Sequence, residues 1–156
     1  MTPPPERAPA DFTALYRAEF ARLAAQVYAY LGNPAEAQDV VQEAYLRAWQ
    51  RWNTVSRYDD PVGWLRRVAW NLATSRWRRQ NVLARILHRQ RSVEAVDSVG
   101  PDHVALVAAL RQLPERQRLV VVLHHIADLP VDDIADHLAV PRGTVLSWLH
   151  RGRAFL

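Results

Sequence analysis

From Asp11 to Leu31 the apolar residues Phe12, Tyr16, Phe20, Leu23, Val27 and Tyr30 recur at spacings of three and four, a rhythm that lines one face of a helix and not of a strand. Asp11 can cap its start. Gly32-Asn33-Pro34 breaks the chain, with Asn33 placed to cap and Pro34 suited to the first turn of a second helix that runs to about Trp52. Its core stripe is Ala37, Val40, Val41, Ala44 and Ala48. Asn53 to Asp60 has no helical period and is expected to be a loop, after which Asp60-Pro61 opens a third helix reaching about Arg79. On that helix Leu65, Val68 and Leu72 form the expected buried stripe, with Trp64 beside it. No strand alternation appears.

Asn81 to Asp102 mixes charges, Ser, Val and a Gly100-Pro101 pair without a sustained stripe, and reads as a flexible linker with room for one helical turn after Asn81. The expected fold is therefore all-α, with two small helical domains. A Pro-rich, disordered start occupies 1–10, the first domain 11–80, the linker 81–102 and the second domain 103–156. The second domain opens with His103 to Gln112, followed by a helix from Pro114 whose run Leu119-Val120-Val121-Val122-Leu123 is apolar almost all round and should lie central. Two short helices remain, Val131 to Ala139 and Pro141 to about Phe155. Ile134, Ala135, Leu138, Val140, Val145 and Leu149 have the spacing of a helix-turn-helix, although Ala139 stands where a turn glycine is common.

Composition narrows the function. With no cysteine in 156 residues there is no disulfide framework, no thiolate metal site and no thiol nucleophile. No apolar run is long enough to span a bilayer and the start lacks the apolar core of a signal peptide, so a cytoplasmic protein without membrane insertion is expected. All 20 basic residues are arginine. Eight of them lie between Pro61 and Arg91 without one acid, and acids vanish again from His137 onward. Arginine forks suit phosphate and guanine edges, so two acid-free basic stretches point to a polyanion gripped at two places.

Three surfaces carry the candidate functional residues. On the last helix the face opposite Val145 and Leu149 presents Gly143, Ser147, His150 and Ala154, flanked by Leu146 and Arg151. In a major groove Ser147 and Arg151 can meet base edges, Leu146 a thymine methyl, and Arg142 or Arg153 phosphates. On the third helix Arg66, Trp70, Ala73 and Trp77 point to a side expected to face water, flanked by Arg67, Asn71, Thr74 and Arg78, so that aromatic rings alternate with guanidinium groups. Rings among cations suit unpaired bases; the other reading is that Trp70 and Trp77 pack under the linker or the second domain. On the second helix Asp39, Gln42, Leu46 and Trp49 lie off the core stripe, where a protein partner or, for Trp49, its own domain would cover them. Asp39 and Glu43 lack a nucleophile, phosphate loop or metal cluster nearby, and Asp132, Asp133 and Asp136 suit a helix dipole better than a metal.

The stretch Gly32 to Trp49 resembles conserved region two of the extracytoplasmic-function, or group 4, RNA polymerase sigma factors, and Trp64 to Ala73 continues it. Leu113-Pro114-Glu115-Arg116-Gln117-Arg118, through Gly143-Thr144-Val145 to Arg151, resembles region four. The resemblance implies that Asp39, Gln42, Glu43 and Leu46 dock on the core polymerase, and that the loop Asn53 to Asp60 and the third helix melt and read the minus-ten element. Trp64, Arg67, Trp70, Asn71, Trp77 and Arg78 are the candidates there. The last helix would read the minus-thirty-five duplex through Arg142, Gly143, Thr144, Leu146, Ser147, His150 and Arg151. Such factors need no cofactor of their own, are not enzymes, and are commonly silenced by an anti-sigma factor. Leu146 and Trp148, where the family often has basic residues, and Ser75, where an acid is frequent, depart from the pattern. A free-standing dimeric regulator would explain only the second domain, and a recombinase or nuclease would need a catalytic cluster that does not stand out.

Overall fold

A computed structural model describes residues 10–87 and 101–155, and among these every regular element is a helix. Residues 1–9 of the expected disordered start and most of the expected linker lie outside the described residues, whereas Ala10 already belongs to the first helix. The first four helices are α1 (Ala10–Leu31), α2 (Pro34–Gln50), the single turn α3 (Trp52–Val55) and α4 (Pro61–Ile86). The others are α5 (Pro101–Leu110), α6 (Glu115–Val121), α7 (Val131–Leu138) and α8 (Arg142–Phe155), with a π-helical turn, Val122–Ile126, extending α6.

The punctuation in the sequence sets these boundaries. Gly32 ends α1 with φ 75°, a conformation open to glycine at little cost. Asn33 then caps α2, its side chain accepting the Glu36 N–H at 3.0 Å, and Pro34 occupies the first turn. Asp60 does the same for α4 through the Gly63 N–H at 2.9 Å. Several boundaries differ from expectation, among them the start of α5 at Pro101, two residues inside the expected linker. The segment after Asn53 is not wholly loop, because Trp52 and Val55 are buried and wind one helical turn beneath α1. The helix α4 continues past Arg79 to Ile86, since nothing between Arg79 and Ile86 is a glycine or proline. Asp11 lies inside α1 rather than before it, accepting the Trp52 indole N–H at 3.1 Å.

The first core is aromatic. Phe12 meets Tyr45, Trp49 and Trp52 edge-on at 5.3–6.1 Å, and Tyr16 stacks on Phe20 at 4.9 Å. Trp49 therefore packs into its own domain. In the second domain Leu119 to Leu123 are all buried, as their unbroken apolar run requires. The turn between α7 and α8 closes on Ala139 in the left-handed conformation, φ 55° and ψ 46°, with Val140 N–H donating to the Ala135 carbonyl and Ala139 N–H to that of Asp136. That pair of bonds is a Schellman closure; an alanine adopts what a glycine would adopt without a Cβ penalty.

The approach of α8 to α6 depends on Gly152, which is buried; a Cβ there would stand 2.7 Å from Cγ2 of Val121. Gly143, in the same helix, has nothing within 4 Å of that position. Glycine-to-alanine changes at the two sites should move stability in opposite directions. Gly143→Ala should gain up to about 1 kcal/mol from helix propensity, and Gly152→Ala should lose about 1 kcal/mol because overpacking outweighs the same gain. Urea unfolding of both variants checks the opposite signs.

Candidate nucleic-acid interface

The buried face of α4 is Leu65, Ala69, Trp70, Ala73 and Trp77, whereas Val68 and Leu72 are only half-buried. The small Ala69 and Ala73 let α4 lie close to α1 and α2, and this turns the helix away from the expected stripe. The expectation that Trp70, Ala73 and Trp77 face water is thereby corrected: they are 1%, 0% and 7% exposed, and the flanking Thr74 is buried as well. Both rings neighbour Tyr30, at 6.0 and 5.8 Å, and the second domain covers them. The guanidinium of Arg118, on α6, lies 3.9 Å from the Trp77 ring centre, and Leu129, Pro130 and His137 border the cleft that Trp70 lines. Over its first five turns α4 exposes a polar stripe, Arg67, Asn71, Ser75 and Arg78, and its last turn exposes the apolar Val82, Leu83 and Ile86.

Part of this stripe opens on a groove of about 430 Å³ between α2 and α4. Trp64, Arg67, Val68 and Asn71 form one wall, and Arg47, Gln50 and Arg51 the other. An indole and a carboxamide thus lie in a groove with three guanidinium-bearing side chains, a set that can stack on a base, hydrogen-bond its edge and neutralise the adjoining phosphates. The groove brings together Trp64, Arg67 and Asn71 among the expected residues, and leaves out Trp70, Trp77 and Arg78. Sequence reasoning missed Arg47, Gln50 and Arg51. Arg47 and Arg51 are one turn apart, a usable signal, but Glu43 beside them breaks the acid-free pattern; it accepts from Arg47 at 3.2 Å.

On α8 the expected face is exposed as drawn. Arg142, Gly143, Leu146, Ser147, His150 and Arg151 are exposed, Thr144 is half-buried, and Val145 and Leu149 point into the core. Arg142 donates from Nε to Asp132 at 2.9 Å across the turn, an exposed pair that water screens and that a phosphate can replace. Trp148 is half-buried beneath the Arg116 guanidinium, 5.7 Å from the ring centre, so it packs rather than reads.

On α2, Asp39 and Leu46 are exposed and Gln42 and Glu43 half-buried, with Leu46 at 48% the largest apolar exposure of that helix. Asp39 lies 3.7 Å from Arg76 of α4, which also donates to the Glu36 carbonyl at 3.2 Å. Gln80 bonds to the Glu36 carboxylate. These ties fasten the first turns of α2 to α4. Among the described residues no group of three or more potential metal ligands occurs, and no helix is long and apolar enough to cross a membrane.

The geometry defines a helical protein with a helix-turn-helix in one domain and a basic, aromatic groove in the other. Known proteins agree with this class. The family description "Sigma-70 region 2" matches residues 15–82 and "Sigma-70, region 4" matches residues 103–156. The RNA polymerase sigma-E factor of Streptomyces coelicolor is 34% identical over 127 residues, 80% of this chain and 71% of that protein. The ECF RNA polymerase sigma factor SigW of Bacillus subtilis is 29% identical over 163 residues, covering 94% and 86%. The fold is shared with the sigma factor RpoE of Bartonella quintana, solved in complex with the anti-sigma factor NepR, at TM-score 0.74, 19% identity and 93% coverage of each chain. The chain belongs to the extracytoplasmic-function RNA polymerase sigma factors. It directs core polymerase to promoters in transcription initiation.

His137 titrates where the two domains meet. Burial first, and the Arg67 guanidinium second, hold its pKa below the ordinary value of 6.5. Asp60, Arg66, Asp128 and Asp133 border the same cleft. Because the unfolded chain takes up this proton at higher pH than the folded one, the folded state loses stability as pH falls below about 6.5 and is unaffected above it. His125, shifted downward by burial, His124 and Arg153, acts in the same sense. Thermal midpoints should fall between pH 7 and pH 5.5, and His137→Gln should flatten part of that slope; an unchanged slope would remove His137 from the account.

Proposed function

We propose that the two halves of this sigma factor read two promoter elements by different chemistry. The first domain, 11–80, takes a melted minus-ten strand in the groove of Trp64, Arg67 and Asn71, joined by Arg47 and Arg51. The second domain, 103–156, lays α8 in the major groove of the minus-thirty-five duplex, with Ser147 and Arg151 at base edges, Leu146 on a methyl, and Arg142, Gly143 and Thr144 against the backbone. The segment 81–102 joins them. The observation that carries this reading is the groove itself, where an indole and a carboxamide lie among three arginines with Arg67 and Asn71 exposed to solvent.

Asp39, Gln42, Glu43 and Leu46 form the docking patch for core polymerase, with Leu46 its apolar centre. The factor is not itself an enzyme: the polymerase performs the chemistry, in the cytoplasm, and the sigma factor positions and opens the template without a cofactor. Structural neighbours solved with the anti-sigma factor NepR and with the cytosolic domain of CnrY support an anti-sigma partner for this chain as well.

The two contacts should fail differently in transcription reconstituted with core polymerase. Arg151→Ala should cost about 1–3 kcal/mol, confined to promoters with an intact minus-thirty-five element. Asn71→Ala should impair opening, so its defect should shrink on a template already mismatched across the minus-ten element. Permanganate footprinting on duplex and pre-melted templates separates them. Rescue of Arg151→Ala but not Asn71→Ala would reverse the assignment of the two helices.

A further inference from the structure

Arg142 opens α8 at the end where a helix least favours a cation, because the positive pole of the helix dipole lies there. No core packing accounts for it either: the side chain is 59% exposed. Its Nε donates to Oδ1 of Asp132 at 2.9 Å, reaching across the helix-turn-helix corner to the first turn of α7. Asp132 is 74% exposed, and an ion pair this open to water contributes little to stability. Among the described residues no ion pair joins Arg142 to Asp133, the next carboxylate of the same turn.

A guanidinium at a helix start, turned away from the core, suits an arriving anion, and the reading above sets Arg142 against the backbone of duplex DNA. The Asp132 carboxylate offers Nε the same kind of anionic oxygen as a phosphate, at the distance of a charge-assisted hydrogen bond. The two compete. A phosphate held by the guanidinium fork takes Nε together with one Nη, so Asp132 must yield; if it stayed, its charge would face that of the phosphate at close range. The rest of α8 has no such counterweight. From His137 onward the sequence holds no acid, so an unopposed α8 would adhere to duplex of any sequence through its arginines.

We infer that Asp132 stands in for a DNA phosphate. It occupies Arg142 in the absence of DNA and is exchanged for a backbone phosphate on duplex, which lowers affinity for every sequence and leaves occupancy to depend on the base contacts of Ser147 and Arg151. The inference rests on the duplex reading of α8, but its test needs no promoter. The full chain is titrated into a fluorescein-labelled duplex of about 30 base pairs and arbitrary sequence, and anisotropy is followed between about 50 and 200 mM salt. Asp132→Asn should tighten binding about three- to ten-fold and steepen the slope of log affinity against log salt by up to about 0.9, the value of one further neutralised phosphate. Arg142→Ala should weaken binding and flatten the slope. In the Arg142→Ala background the gain from Asp132→Asn should shrink to that of Asp133→Asn, which removes the same charge from the same turn and leaves the pair intact.

An Asp132→Asn gain that is as large without Arg142 overturns the inference, since the carboxylate then acts as a bare charge. Weaker binding of Asp132→Asn also overturns it, because Asp132 then supports Arg142 on DNA. Should Asp132→Asn lose helical circular dichroism, Asp132→Ser, which removes the charge and suits the first turn of a helix, is judged by the same outcomes. If Arg142→Ala and Arg151→Ala both leave duplex affinity unchanged, the duplex reading of α8 fails and the inference with it. If both weaken binding while Asp132→Asn changes nothing, the inference alone fails.

Discussion

A guanidinium taken out of water without its full set of hydrogen bonds costs several kcal/mol unless other groups compensate, and the arrangement of this protein follows from how Arg118 meets that cost. Burial pushes its pKa down, while the neighbouring Tyr30 and Glu115 oppose the shift. Arginine remains charged under either influence. The faces of Trp77 and Tyr30 supply the compensation, since a desolvated cation over an aromatic ring gains about 2 kcal/mol. Tyr30 in turn is fixed by Glu115, and burial against that carboxylate raises its own pKa well beyond the ordinary range for a phenol. The rings that receive the cation come from α1 and α4, and the cation comes from α6, so neither half presents this site by itself.

Seen from this contact, the placement of the candidate DNA surfaces makes sense. The Trp77 side of α4 faces the second domain, which leaves the Arg67–Asn71 side and the groove against α2 to solvent. The face of α8 that would enter a major groove is on the far side of the α6–α8 packing that Gly152 permits. The same buried residues therefore orient two surfaces whose chemistry differs: cations around an indole for unstacked bases, and a short acid-free helix face for duplex DNA.

Much of this was legible in the residues. The spacing of three and four marked α1 and α2, Asn33 and Asp60 marked two helix starts, and Ile134, Leu138, Val145 and Leu149 marked the helix-turn-helix, each through a local rule that needs only neighbours in sequence. The rotation of α4 was not legible. Leu65, Val68 and Leu72 form as good a stripe on paper as Leu65, Ala69 and Ala73, and only the close approach of α1 and α2 favours the smaller residues. Trp70 and Trp77 looked exposed because a helical period reports burial within one domain and is blind to a cover arriving from far downstream, Arg118 over Trp77 and Leu129, Pro130 and His137 beside Trp70. Arg118 is the sharpest case: in Glu115-Arg116-Gln117-Arg118 nothing local separates the exposed Arg116 from the buried Arg118.

The contact between Arg118 and Trp77 is thus the interaction on which the relation of the two halves depends, and a double-mutant cycle tests it directly. Urea unfolding of Trp77→Leu, Arg118→Met and the double variant, against the unmodified protein, isolates their mutual term. A coupling of about 1–2 kcal/mol is predicted for a desolvated cation on an indole face. Additive single effects, with a coupling below about 0.3 kcal/mol, would contradict the account.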